Sequence, residues 1–190
     1  QGWGRKSEDK HLSIMKAIKF GTTETGEEMI VDLEKEGIRF ILLVGASASG
    51  KSIFHTHLYR EIASKHTPEE VGFILLDMTI VDSIGCSPEY MVMPPVTKPD
   101  EALSVLENLK SGQRALVVHI EECDMVYRDR ERFEKGIEQV LQENKNIYIV
   151  YSTSRIDTGY LGDWMKKYVD LKVVFRVARE EDSTFLLGNS

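Results

Sequence analysis

The eight residues Gly45-Ala-Ser-Ala-Ser-Gly-Lys-Ser52 constrain this chain more than any other feature. They match G-x-x-x-x-G-K-[ST], in which small residues let successive backbone N–H groups close around a phosphate. Such a loop works only when a buried strand leads into it and a helix leads out, so that the helix N-terminus adds positive potential. Both neighbours are legible. Ile38 to Val44 is an apolar run of strand length, and Ile53 to Lys65 places Phe54, Leu58 and Ile62 on one helical face. The residues Gly45, Ala46, Ser47, Ala48, Ser49 and Gly50 are therefore assigned to the phosphate cradle. Lys51 is assigned to the β and γ phosphates, and Ser52 to Mg2+. ATP with Mg2+ is the expected ligand.

The remaining pattern fits the same architecture. His11 to Phe20, whose apolar spacing fits helix or strand alike, and Met29 to Leu33 flank the turn cluster Gly21-Thr-Thr-Glu-Thr-Gly26, which predicts that the two flanks pair as a hairpin. Strands are expected at Gly72 to Leu76, Ala115 to Ile120, Ile147 to Tyr151 and Val173 to Val177. Helical faces alternate with them: Ala102, Val105, Leu106 and Leu109, then Phe133, Ile137, Val140 and Leu141, then Tyr160, Leu161, Trp164, Met165 and Tyr168. Alternating strands and helices imply right-handed βαβ units, hence an α/β fold with a mostly parallel sheet and helices on both faces. With 190 residues, one domain is expected, residues 1–19 serving as a lead-in and 20–190 as the nucleotide-binding domain.

A loop that binds Mg·ATP needs a carboxylate on a nearby strand end for the metal shell, and a second group to activate water. The strand ending at Ile120 is followed by Glu121 and Glu122; Glu121 is assigned to the Mg2+ shell and Glu122 to the attacking water. Two solvated carboxylates at a strand end remain the alternative reading. His119 reads as a buried strand histidine with a structural role. The hydroxyl run Ser152-Thr153-Ser154 before Arg155 offers Thr153, Ser154 and Arg155 as sensors of the γ-phosphate, with turn capping as the competing use.

Composition limits the partners. Lys and Arg number 24 against 31 Asp and Glu, a net charge of −7, which argues against an autonomous nucleic-acid binder. The two cysteines, Cys86 and Cys123, form neither a zinc site of their own nor a disulfide scaffold, so a reducing cytoplasm is expected. No apolar run approaches the roughly 20 residues of a membrane span, and no direct membrane contact is expected of this segment. The start at Gln1 suggests a domain taken from a longer chain.

Several separated segments together resemble the FtsK/SpoIIIE-type DNA-pumping ATPases, whose motor has a RecA-like core. The resemblance runs from about Phe20 to Gly188. It rests on Gly21 to Leu33 before the loop, on His66-Thr-Pro-Glu-Glu70 with Phe73 to Asp77, and on Pro94-Pro-Val-Thr97. Glu121-Glu122 stands at the family's Asp-Glu pair, Ser152-Thr-Ser-Arg155 at its A-T-Q-R stretch, and Asp182-Ser183 with Leu186-Leu-Gly188 at its closing segment. The resemblance implies an ATP-driven ring of this module with copies or homologous modules, acting on duplex DNA. A type VII secretion module acting on a secreted protein, and a nucleotide-regulated assembly domain, are the alternatives. The departures are specific: Glu121 replaces Asp, Ser154 replaces Gln, Asp77-Met78-Thr79 replaces Asp-Pro-Lys, Thr184 replaces an Arg, and Lys110 to Arg114 is a short link where the family has a long insertion. They imply slow hydrolysis and a monomer when the domain is isolated.

Overall fold

The computed structural model describes residues 15–77, 85, 87–121, 128–156, 164 and 166–188. An antiparallel hairpin comes first, β1 (Ile18–Thr22) with β2 (Glu28–Val31), as the turn cluster predicted. The expected parallel sheet follows: β3 (Phe40–Val44), β4 (Val71–Asp77), β5 (Ala115–Glu121), β6 (Ile147–Thr153) and β7 (Leu171–Val174), in spatial order β4-β5-β6-β3-β7. All four pairings are parallel. The crossovers carry α1 (Lys51–Ala63), α2 (Pro99–Asn108) and α3 (Arg130–Glu143); α4 (Glu180–Leu187) closes the described chain. The last strand begins two residues before the expected Val173, because Asp170 anchors its start: its Oδ2 accepts the amides of Arg39 and Phe40 at 2.8 and 2.9 Å.

Successive strand residues face opposite sides of a sheet, and the apolar strands accordingly feed two cores. Phe40, Leu42, Val44, Val118, Ile120, Ile149 and Tyr151 pack against α2, α3 and Trp164. Ile41, Leu43, Phe73, Leu75, Val117 and Val150 pack against α1 and the hairpin. Met15 and Ile18 are buried in this second core, and β1 spans residue 19, so the hairpin is continuous with the rest of the fold. Trp164, on the last predicted helical face, meets Phe40, Phe133 and Tyr151 at ring separations of 5.3–5.9 Å. The open edge of β4 is covered by the segment after the 3-10 turn Pro88–Tyr90, through Val92 N to Phe73 O at 3.0 Å and Val96 N to Leu75 O at 2.9 Å. Among the described residues no helix is long and apolar enough to cross a membrane.

Candidate nucleotide site

The strand order decides which groups can meet. The loop Gly45–Gly50 leaves β3, and β5 lies two strands away, so Glu121 stands about 10 Å across the sheet from the end of β3. Between them ends β6. Val44 pairs with Thr153 and Glu121 with Ser152, so three strand ends stand level at the sheet's C-terminal edge, where ligands bind in parallel α/β folds.

The loop is held in an amide-forward shape by its backbone. Ala48 has φ 59° and Gly50 φ 107°, both left-handed, and the Ala46 amide is anchored on Arg176 O at 2.9 Å. Gly45 has to be glycine: a Cβ there would stand 2.6 Å from the Cβ of Phe175 and 3.2 Å from Arg176 O. The first turn of α1 has no capping side chain and no acid. Phe54 N reaches Gly50 O at 3.0 Å, and the amides of Lys51 to Ile53 precede it without helical acceptors. An anion suits such an uncapped terminus. Lys51 is 6% exposed and folds back so that Nζ donates to Gly45 O at 2.8 Å and Ala46 O at 3.0 Å, which holds its ammonium against the loop. Ser52 is exposed beside it.

Both carboxylate oxygens of Glu121 are held by hydrogen bonds. Ser152 Oγ donates to Oε1 at 3.1 Å, and His119 Nε2, two residues back on the same strand face, donates to Oε2 at 2.7 Å. Tyr59 on α1 then donates its hydroxyl to His119 Nδ1 at 2.5 Å. Burial pushes the Glu121 carboxyl up, but the hydrogen bond from His119 and the nearby imidazoles outweigh it, helped by Ser152, and hold it below the usual carboxylate range. His55 completes the group, its Nε2 3.8 Å from Glu121 Oε2. Burial, with His119 and Lys51 adding to it against the pull of Glu121, pushes the His55 imidazole down to about 4, so it is neutral at pH 7.

Of the residues expected from the sequence, the fold brings Gly45 to Ser52 and Glu121 to one sheet edge. Glu122 lies outside the described residues. Thr153 is fully buried and its hydroxyl accepts the Arg155 amide at 3.0 Å, the turn-capping use; its carbonyl accepts the Gly45 amide at 3.3 Å. Ser154 is half-buried and Arg155 exposed just beyond. His119, read from sequence as structural, is in direct contact with Glu121. Sequence reasoning passed over His55 and Tyr59, although their signal was present: they follow Lys51 at spacings of four and eight, on the face that α1 buries.

The profile of the FtsK/SpoIIIE family matches residues 4–183. The chain belongs to the FtsK/SpoIIIE family. Its likeness to the DNA translocase FtsK of Leptospira interrogans is 22% identity over 219 aligned residues, covering 95% of this chain and 22% of that protein, so the chain spans about a fifth of that relative's length. Among solved structures, the pCW3 conjugation coupling protein TcpA, solved as a monomer with ATPγS, superposes with a TM-score of 0.70 at 17% identity, covering 96% of this chain and 60% of that one. The cytoplasmic domain of the type VII secretion ATPase EccC of Thermomonospora curvata superposes with a TM-score of 0.69 at 16% identity, covering 91% and 23%. Likeness at these identities establishes the fold alone: an α/β core built on a five-stranded parallel sheet.

Proposed function

We propose that this domain binds Mg·ATP at residues 45–52 and hydrolyses it slowly when alone, as one module of an FtsK/SpoIIIE-type motor. The observation that carries the reading is the loop itself: an uncapped helix N-terminus, left-handed backbone at Ala48 and Gly50, and a buried lysine held against the loop. The donor set fits a polyphosphate, since the uncapped amides at the start of α1 and the Lys51 ammonium are proton donors and the first turn of α1 carries no acid. Magnesium, when bound, neutralises charge on the phosphoryl oxygens. Ser52 and Glu121 hold its shell, Glu121 being fixed in position by Ser152 and His119. Glu122 orients and deprotonates the attacking water. Lys51 exchanges its two carbonyl partners for phosphate oxygens. Ser154 is too short for the family's glutamine role, and completion of the site by a neighbouring copy or homologous module accounts for low turnover in isolation.

Phosphate release under steady state tests this. The expected result is slow turnover that saturates with Mg·ATP, is lost in Lys51→Ala and is lost in Glu122→Gln with nucleotide binding retained. An unchanged rate in Glu122→Gln overturns the water-activating role, and an unchanged rate in Lys51→Ala overturns the site. The moved polymer is proposed to contact the assembled ring rather than the single domain, whose basic residues are interleaved with acids, as in Arg130–Glu134 and Arg132–Glu107.

A further inference from the structure

His55 is an expensive residue where it stands. It is 5% exposed, its Nδ1 has no partner among the described residues, and its Nε2 lies beyond hydrogen-bond length from Glu121. An apolar side chain would serve the buried face of α1 better, because a buried polar group without a partner carries its full desolvation cost. What His55 does is bring a second imidazole to His119, with ring centres 4.7 Å apart, and to the carboxylate they share. One ligand atom from each of His55, His119 and Glu121 lies within 4.8 Å of the other two.

We propose that His55, His119 and Glu121 form a binding site for a zinc-class divalent cation. Two imidazole nitrogens and one carboxylate oxygen are a zinc-type donor set and a poor one for magnesium, which takes oxygen ligands. Three protein ligands leave a fourth position for water. In a tetrahedral zinc site, bonds of about 2.0–2.2 Å put ligand atoms about 3.4 Å apart. The separations of 3.8 Å (His55 to Glu121) and 2.7 Å (His119 to Glu121) bracket that value, and no two of the three ligand atoms are more than 4.8 Å apart, so side-chain adjustments on the order of 1 Å bring the set to bonding distance. The outer partner is also in place. Without metal, Tyr59 donates to His119 Nδ1 while Nε2–H donates to Glu121. With metal on Nε2, the ring takes the other tautomer and Nδ1–H donates to the Tyr59 oxygen, the arrangement that orients metal-bound histidines. The proton stays on the ring, so this exchange releases none.

The consequence for nucleotide rests on the function proposed above, in which Glu121 serves the magnesium shell. A cation held by the two histidines draws that carboxylate away, so zinc-class ions weaken Mg·ADP binding. Metal binding itself does not depend on that reading.

The test is titration of the nucleotide-free chain with Co2+, followed by visible absorption, and then displacement by Zn2+. One equivalent with the intense absorption of a tetrahedral cobalt site is expected, lost in His55→Phe and weakened about tenfold or more in Tyr59→Phe. Glu121→Gln is the second ligand variant should the first fail to fold, and it too is expected to lose the step. No one-equivalent step in the parent chain, or an unchanged step in a folded ligand variant, overturns the site. Mg·ADP affinity is then compared before and after loading one equivalent of Zn2+ and desalting. Weaker binding in the loaded parent, with no change in zinc-treated His55→Phe, supports the competition; equal binding in the loaded and unloaded parent overturns it. If no form binds nucleotide, the functional reading fails while the cobalt result stands by itself.

Discussion

Replacing Tyr59 by Phe removes one oxygen atom and isolates the energetics of the buried chain behind Glu121. Tyr59 and His119 are each 1% exposed, and the hydroxyl donates to Nδ1 at 2.5 Å. Phe keeps the ring packing against Phe73 (5.1 Å between centres) and His55 (5.9 Å) while leaving Nδ1 without its donor. A buried acceptor left unsatisfied costs about 1–3 kcal/mol. For a domain of this size each kcal/mol lowers Tm by about 2–4 °C, so a cost near 2 kcal/mol corresponds to a fall of about 4–8 °C. Because the tautomer of His119 is set by that donor, the effect should be coupled to Glu121. In a double-mutant cycle with Glu121→Gln, an interaction of about 0.5–3 kcal/mol is expected. Thermal and urea unfolding of the four proteins measures both quantities. A Tm within 1 °C of the parent, or additive losses in the cycle, would refute the connection from Tyr59 through His119 to Glu121.

Gly45→Ala should destabilise by about 1–3 kcal/mol, since its Cβ meets Phe175 Cβ at 2.6 Å and the Arg176 carbonyl at 3.2 Å, neither a flexible chain end; denaturant unfolding reads this directly. Trp164→Leu opens a void among Phe40, Phe133 and Tyr151 and should cost several kcal/mol, about 3–5 for full truncation to Ala, by the same measurement. Burial, with Glu34 and Asp32 adding to it against Arg39, pushes the Tyr148 phenol up to about 12. The unfolded chain loses that proton near pH 10 while the folded one keeps it, so stability falls as pH rises from about 10 to 12, by up to about 3 kcal/mol, and Tyr148→Phe should flatten this alkaline limb. With a net charge of −7, the domain should show no binding to duplex DNA by fluorescence anisotropy at about 0.15 M salt; tight binding with a steep salt slope would assign the phosphate grip to the single domain.

What could be read in advance follows from where the information is local. The hairpin, the alternation of strands and helices and the phosphate loop are local patterns, and β2 to β6, α1 and α2 stand within a few residues of their expected bounds; β1 is the short strand Ile18–Thr22, where the apolar stretch from His11 to Phe20 fitted helix or strand alike. The start of β7 was displaced because Asp170, which anchors it to Arg39 and Phe40, is 130 residues away from its partners in sequence. The same holds for the site. Glu121 is legible as a strand-end acid, but its partners are not: Ser152 enters by the register of β5 with β6, and Tyr59 and His55 enter by the packing of α1 on the sheet. Ser152 and Thr153 were adjacent hydroxyls with no local reason to differ. Strand alternation separates them, one toward Glu121 and the other into the turn before Arg155.

The most direct test of the nucleotide site is titration calorimetry of the isolated chain with ADP and with a non-hydrolysable ATP analogue, each in Mg2+, beside Lys51→Ala. Lys51 gives up two carbonyl contacts at 2.8 and 3.0 Å for phosphate oxygens, so its removal should leave a folded protein and abolish a saturable one-site isotherm. No heat and no thermal shift with either nucleotide in the folded parent, or equal affinity in Lys51→Ala, would contradict the assignment of residues 45–52 to phosphate.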